Sequence, residues 1–196
     1  MTNSTIQTKQ LVLVAMFAAL MPIGANFTSF LVIGLVPITL QTFFSILAGA
    51  LLGKRLGALA MIIYLITGLV GFPVFAQFKG GLGTFLQPTF GFLLSFVILA
   101  YVTGLIIEKR QKKNLNTFLI ACFVGLLINY VFGTHYMYYA TQFLAGSDAV
   151  SYRVVWGWMA APLVKDIILT FFAAILATKI YHIVQTSKSS PNQKIA

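Results

Sequence analysis

Only three acidic residues, Glu108, Asp148 and Asp166, stand against 13 lysines and arginines in a chain of 196 residues that is 59% hydrophobic. A soluble domain of this length would need far more charge to cover its surface. The basic residues gather at the ends of long apolar runs, where they set topology rather than bind nucleic acid. In lipid each backbone amide must be satisfied internally, so such runs read as helices. The expectation is an all-α integral membrane protein, a bundle of about six transmembrane helices. The approximate spans are 9–25, 37–53, 56–71, 89–107, 116–143 and 154–181, within a single membrane domain covering 1–196. Residues 182–196 read as a disordered cytoplasmic tail.

Lys9, Lys54, Arg55, Lys109, Arg110, Lys112, Lys113, Lys179, Lys188 and Lys194 fall on one side of this arrangement, and only Lys79 and Arg153 on the other. The positive-inside rule then makes the chain a multi-pass protein of the cell membrane with both termini cytoplasmic. The run from Leu11 to Ala25 is read as a retained first span, because Ile23 breaks the small-x-small cleavage pattern before Asn26. Asn26-Phe-Thr28 matches a glycosylation acceptor, a three-residue pattern of little specificity.

One stretch, Gly71 to Gly91, cannot continue either neighbouring helix. Pro73 and Pro88 remove backbone donors and push Phe72 and Gln87 out of the α region, while Gly80, Gly81 and Gly83 loosen the middle. Irregular backbone beside a bilayer must be covered by protein or line a cavity. This outward-facing loop between helices 3 and 4 is therefore the expected binding region, with Gln77, Lys79 and Gln87 as its ligand candidates.

Asp166 is the second anomaly. Counted from Val154 it lies on the order of 18 Å along a helix, near bilayer mid-depth. A charged side chain there costs about 2.5–3.5 kcal/mol on insertion scales, so it should face the bundle interior and find a partner. Adjacent side chains diverge by about 100° on a helix, so Lys165 and Asp166 are expected to pair elsewhere rather than with each other. Trp158, Pro162 and Asp166 share one stripe, which puts an apolar wall beside an acceptor. A further stripe on the fifth span, Asn129, Phe132, Tyr136, Tyr139 and Phe143, mixes apolar area with hydrogen-bonding tips. It reads either as a packing face and interfacial belt or as pocket lining. Ala15 and Ala19 stack on one face of the first span, giving either a groove for another helix or plain helix filler.

Much chemistry is excluded. No Gly-x-x-x-x-Gly-Lys-Ser/Thr motif occurs, so the chain is not its own ATPase. His135 and His182 are remote from any acid or thiol cluster, and Cys122 is the only cysteine, so no internal disulfide, zinc site or Cys–His nucleophile is expected. A single intramembrane acid gives no paired carboxylates. The chain reads as a binding protein, not an enzyme, with no cofactor.

Val36-Pro-Ile-Thr-Leu-Gln-Thr42, Leu47-Ala-Gly-Ala-Leu-Leu-Gly53 with Arg55-Leu-Gly-Ala58, Gly68-Leu-Val-Gly-Phe-Pro-Val-Phe75 and Gly80-Gly-Leu-Gly83 leading to Gln87-Pro-Thr-Phe-Gly91 together resemble the BioY family. These are the biotin-specific S components of energy-coupling factor (ECF) transporters. The resemblance covers essentially all the expected spans. It implies a six-helix S component that binds biotin at its outer side and joins a transmembrane coupling subunit and two cytoplasmic ATPases. It also implies that Ala15 and Ala19 contact the coupling subunit. For biotin, the ureido N–H groups would donate to Asp166 and the ureido oxygen would accept from Asn129 or Gln77. The thiophane ring would pack on Trp158 or Tyr136, and the carboxylate would meet Lys79 or Lys165. The order Pro162-Leu-Val-Lys-Asp166 departs from the family pattern, in which a lysine follows the acid, and leaves the choice of cation open. The alternative function is a stand-alone secondary transporter of a small vitamin-like molecule coupled through Asp166, against which stands the absence of repeats and further intramembrane acids.

Overall fold

The computed structural model describes residues 7–143 and 150–189. Asp148, expected in an aqueous loop, and residues 190–196 lie outside them. In chain order the elements are α1 (Thr8–Asn26), the two-residue strands β1 (Val32–Ile33) and β2 (Val36–Pro37), and α2 (Gln41–Leu69). Two short 3-10 turns follow, Ala76–Phe78 and Leu82–Leu86, then α3 (Phe90–Lys109), α4 (Leu115–Phe143) and α5 (Tyr152–Ser189). Among the described residues, five helices are long and apolar enough to cross a membrane. The architecture is all-helical apart from the small β1–β2 hairpin, paired antiparallel with Val32 opposite Pro37.

The second and third apolar runs form one element that folds back on itself. Gly53 has φ 82° and ψ 176°, a conformation outside any helix. Beyond it the chain reverses: a Cβ added at Gly57 would lie 2.9 Å from the Ala48 carbonyl. Likewise Gln41 Nε2 donates to the Tyr64 hydroxyl at 2.8 Å, although a straight helix would hold residues so far apart by roughly 35 Å. The reversal frees the Lys54 amide, which donates to Glu108 Oε1 at 2.9 Å, while the Lys54 ammonium pairs with Glu108 Oε2 at 3.2 Å. Glycine is needed at 53 twice over, for the positive φ and because a Cβ there would meet Glu108 Oε1 at 2.6 Å. The end of α3 is closed by Lys113, whose ammonium donates to the carbonyls of Ile107, Glu108 and Arg110.

The core runs the length of the bundle, with Phe17 and Met21 of α1, Ile46 and Met61 of α2, Phe96 and Leu99 of α3, Phe118 and Cys122 of α4, and Val155 and Met159 of α5 all buried. The helical path of α5 continues to Ser189, so the segment starting at residue 182 begins as helix, not as the disordered tail expected for 182–196. No glycine or proline lies between Pro162 and Pro191 in the sequence, and Ile183 and Val184 prolong the apolar pattern.

Candidate functional site

The irregular stretch between α2 and α3 satisfies its backbone with the helix ends beneath it. The Gly68 carbonyl, at the end of α2, accepts from the amides of Gly71 at 3.1 Å and Gly81 at 2.7 Å. The Tyr64 hydroxyl, itself held by Gln41, donates to the Val74 carbonyl at 3.1 Å. Phe75 N donates to the Lys79 carbonyl at 2.9 Å, closing a tight turn that carries Gln77. A Cβ at Gly68 would overlap the ring of Phe75, so the turn sits directly on the helix.

Beneath this stretch lies a cavity of about 270 Å³. Its wall draws on every layer around it. The central stretch gives Gln77, Lys79, Thr84 and Gln87, α2 gives Gln41 and Thr42, α3 gives Phe92 and Phe96, α4 gives Asn129 and Tyr130, and α5 gives Met159, Pro162, Lys165 and Asp166. Six of the residues chosen from the sequence therefore meet in one place: Gln77, Lys79, Gln87, Asn129, Lys165 and Asp166.

Asp166 is 4% exposed and joins three helices. Its Oδ2 accepts from the Tyr130 hydroxyl at 2.7 Å and the Thr42 hydroxyl at 3.3 Å, and its Oδ1 faces the Lys165 ammonium at 2.9 Å. Lys165 and Asp166 thus pair with each other, contrary to the expectation from helical geometry. The 100° divergence governs Cβ directions, whereas the four-carbon lysine stem is long enough to curl back, and a buried carboxylate without a counter-charge is the costlier state. The same ammonium donates to the Thr39 carbonyl, binding α5 to the chain just before α2. Asn129, 1% exposed, extends the network: its Oδ1 accepts from Ser95 at 2.7 Å and its Nδ2 donates to Thr42 Oγ1 at 3.5 Å. With about four acceptor positions on a carboxylate and three partners in place, Asp166 keeps capacity for a ligand donor.

Two chosen residues stand behind the wall instead of in it. The Tyr136 hydroxyl donates to the Phe85 carbonyl at 2.8 Å, which supports the second 3-10 turn from outside. The Trp158 indole lies against Gly34, at φ 59° in the β1–β2 turn, where any Cβ would overlap it. The α4 stripe divides accordingly, with Asn129 facing inward and Tyr139 56% exposed. Ala15 and Ala19 are exposed on α1 beside Leu11, Val12 and Met16, a face that no other element among the described residues covers.

Sequence reasoning did not select Thr42, Tyr130, Ser95 or Thr84. Thr42 lies inside the Pro-Ile-Thr-Leu-Gln-Thr piece, and Tyr130 adjoins Asn129. Ser95 and Thr84 carry no signal of their own, since single hydroxyls are common in apolar helices and turns. Thr84 is 3% exposed, and its hydroxyl has no hydrogen-bond partner among the described residues.

The sequence profile of the BioY family matches residues 1–186. The chain belongs to the BioY family. Among BioY relatives it is 38% identical over 184 residues to the putative biotin transporter BioYB of Bacillus subtilis (strain 168), covering 92% of each chain. It is 34% identical over 172 residues to the biotin transporter BioY of Thermotoga maritima, covering 88% of this chain and 95% of the relative. The fold is similar to the crystal structure of the S-component for biotin from an ECF-type ABC transporter, with a TM-score of 0.70 at 22% identity over 93% of this chain and 95% of that one. Family membership and the apolar helices together make this BioY member a multi-pass membrane protein.

Proposed function

We propose that this BioY family member is the substrate-binding membrane subunit for biotin uptake, the S component of an ECF transporter. The observation that carries the reading is the composition of the cavity wall: one buried carboxylate with spare acceptor capacity and a buried amide on α4 and α5, faced by a lysine and glutamines on the central stretch. The names of its relatives point to the same ligand. Biotin has a ureido ring rich in N–H donors at one end and a carboxylate at the other, so it matches this polarity.

The ureido N–H groups donate to Asp166, and the ureido oxygen lies towards Asn129 or Gln77. The carboxylate meets Lys79, which has no ion-pair partner among the described residues, whereas the Lys165 ammonium is occupied by Asp166 and the Thr39 carbonyl. Gln87 and Thr84 flank it, and the thiophane ring packs on Phe92, Phe96 and Met159, with Trp158 and Tyr136 bracing the wall from behind.

Each arm of α2 crosses the membrane, giving six crossings. The Lys54–Glu108 pair puts the Gly53 turn level with the end of α3, whereas a single crossing would leave Lys54 in mid-membrane. Both termini and the basic turns then lie in the cytoplasm, and the central stretch faces outward. The chain works with a transmembrane coupling subunit, which Ala15 and Ala19 contact, and with two cytoplasmic ATPases that supply the nucleotide chemistry it lacks. The test is uptake of labelled biotin into proteoliposomes with and without the ATPase module. Accumulation that requires the module and ATP is expected. Accumulation by this chain alone down an imposed ion gradient would favour a secondary transporter instead.

A further inference from the structure

The turn that brings Gln77 and Lys79 to the cavity is held in a conformation that side-chain-bearing residues avoid. Gln77 and Phe78 have φ values of 61° and 55°, and they are the non-glycine residues with positive φ among those described. Neither is an asparagine or aspartate, the types that enter this region most readily. Backbone strain of this kind persists only where the surroundings over-determine it. Packing of the two residues themselves does not do so, since Gln77 and Phe78 are both exposed.

Besides the Phe75–Lys79 bond that closes the turn, a side chain from another element holds it. Phe78 N donates to Asn26 Oδ1 at 2.7 Å, and Asn26 Nδ2 donates to the Pro22 carbonyl at 3.0 Å. Both ends of the amide are engaged, so its oxygen is aimed and cannot flip away. Asn26 is the last residue of α1, and α1 also anchors the other approach to the cavity, through Leu40 N donating to the Gly24 carbonyl at 2.7 Å. The asparagine that the sequence offers as a glycosylation acceptor is thus a structural clamp.

We infer that Asn26 is a positioning residue for ligand binding: it holds the strained Gln77–Phe78 backbone so that Gln77 and Lys79 face the cavity. The inference rests on the biotin reading of that cavity. Without the Asn26 acceptor, residues 77 and 78 relax towards negative φ, the two side chains turn from the wall, and bound ligand leaves faster. Glycine adopts positive φ without strain, so Phe78→Gly makes the turn less dependent on its clamp. Phe78 itself is not part of the cavity wall.

The experiment measures biotin association and dissociation on the purified full chain and on Asn26→Ala, Phe78→Gly and the Asn26→Ala/Phe78→Gly pair. Asn26→Ala is expected to weaken binding about tenfold, mainly through dissociation. The double variant is expected within about threefold of Phe78→Gly alone, a rescue that a general folding defect would not show. Should Asn26→Ala alone fail to fold, the double variant still folds and binds like Phe78→Gly under this inference. Absence of biotin binding by the unchanged chain would overturn the functional reading and this inference with it. Normal binding by Asn26→Ala, or a double variant no better than Asn26→Ala, would overturn this inference alone.

Discussion

Lys79 and Lys165 line the same cavity, yet their surroundings give them different work. The Lys165 ammonium neutralises Asp166 and holds the Thr39 carbonyl, so Lys165→Met leaves a buried carboxylate without its counter-charge and should lower the melting temperature of the unliganded protein. Lys79 is exposed and unpaired among the described residues, so Lys79→Gln should leave stability unchanged. The same change should weaken biotin about tenfold, and the neutral methyl ester of biotin less than about twofold. Equal losses for both ligands would move the carboxylate away from Lys79. At this scale the sequence was legible where burial is expensive. Asp166 and Asn129 stood out because a charge or an amide in lipid demands partners, and both are in the network. Thr42, Tyr130 and Ser95 complete that network but cost too little in an apolar run to announce themselves. Trp158 and Tyr136 were placed by stripe alone, and a stripe does not distinguish the cavity wall from the layer that braces it.

Among the elements, α2 depends most on a single residue. Gly53→Ala puts a Cβ where φ is 82° and where Glu108 Oε1 lies 2.6 Å away, so it should destabilise the protein by about 1–3 kcal/mol, read as a lower melting temperature in detergent. An unchanged melting temperature would mean that the fold-back is held elsewhere. The reversal was legible because Lys54-Arg55 splits two apolar runs, although the sequence did not show that its carboxylate partner would come from the end of α3. Helix α1 presents the opposite situation, a face with nothing among the described residues packed on it. Replacing Ala15 and Ala19 with leucine should abolish ATP-driven uptake and leave biotin binding within about twofold of the unchanged chain, because neither residue lies near the cavity. Loss of binding as well would assign these positions to folding.

For the whole molecule, hydropathy and the distribution of basic residues were enough to make the chain a helical membrane bundle, and the prolines and glycines of 71–91 were enough to single out that stretch. Six residues of the cavity wall were legible, whereas the share contributed by the β1–β2 hairpin, α2 and α3 was not, because contacts between distant segments leave no local signature. The topology has a direct check. With Cys122 replaced by alanine, single cysteines at Arg55 and Lys79 should react with a membrane-impermeant reagent from opposite sides of sealed vesicles. Reaction from the same side would contradict six crossings. The central claim is that this cavity binds biotin through Asp166, and calorimetric titration of the purified chain with biotin tests it most directly. The prediction is saturable binding by the unchanged chain and at least about tenfold weaker binding by Asp166→Asn, the loss of one charge-assisted hydrogen bond. No binding by a folded unchanged chain, or equal affinity in both proteins, would contradict it.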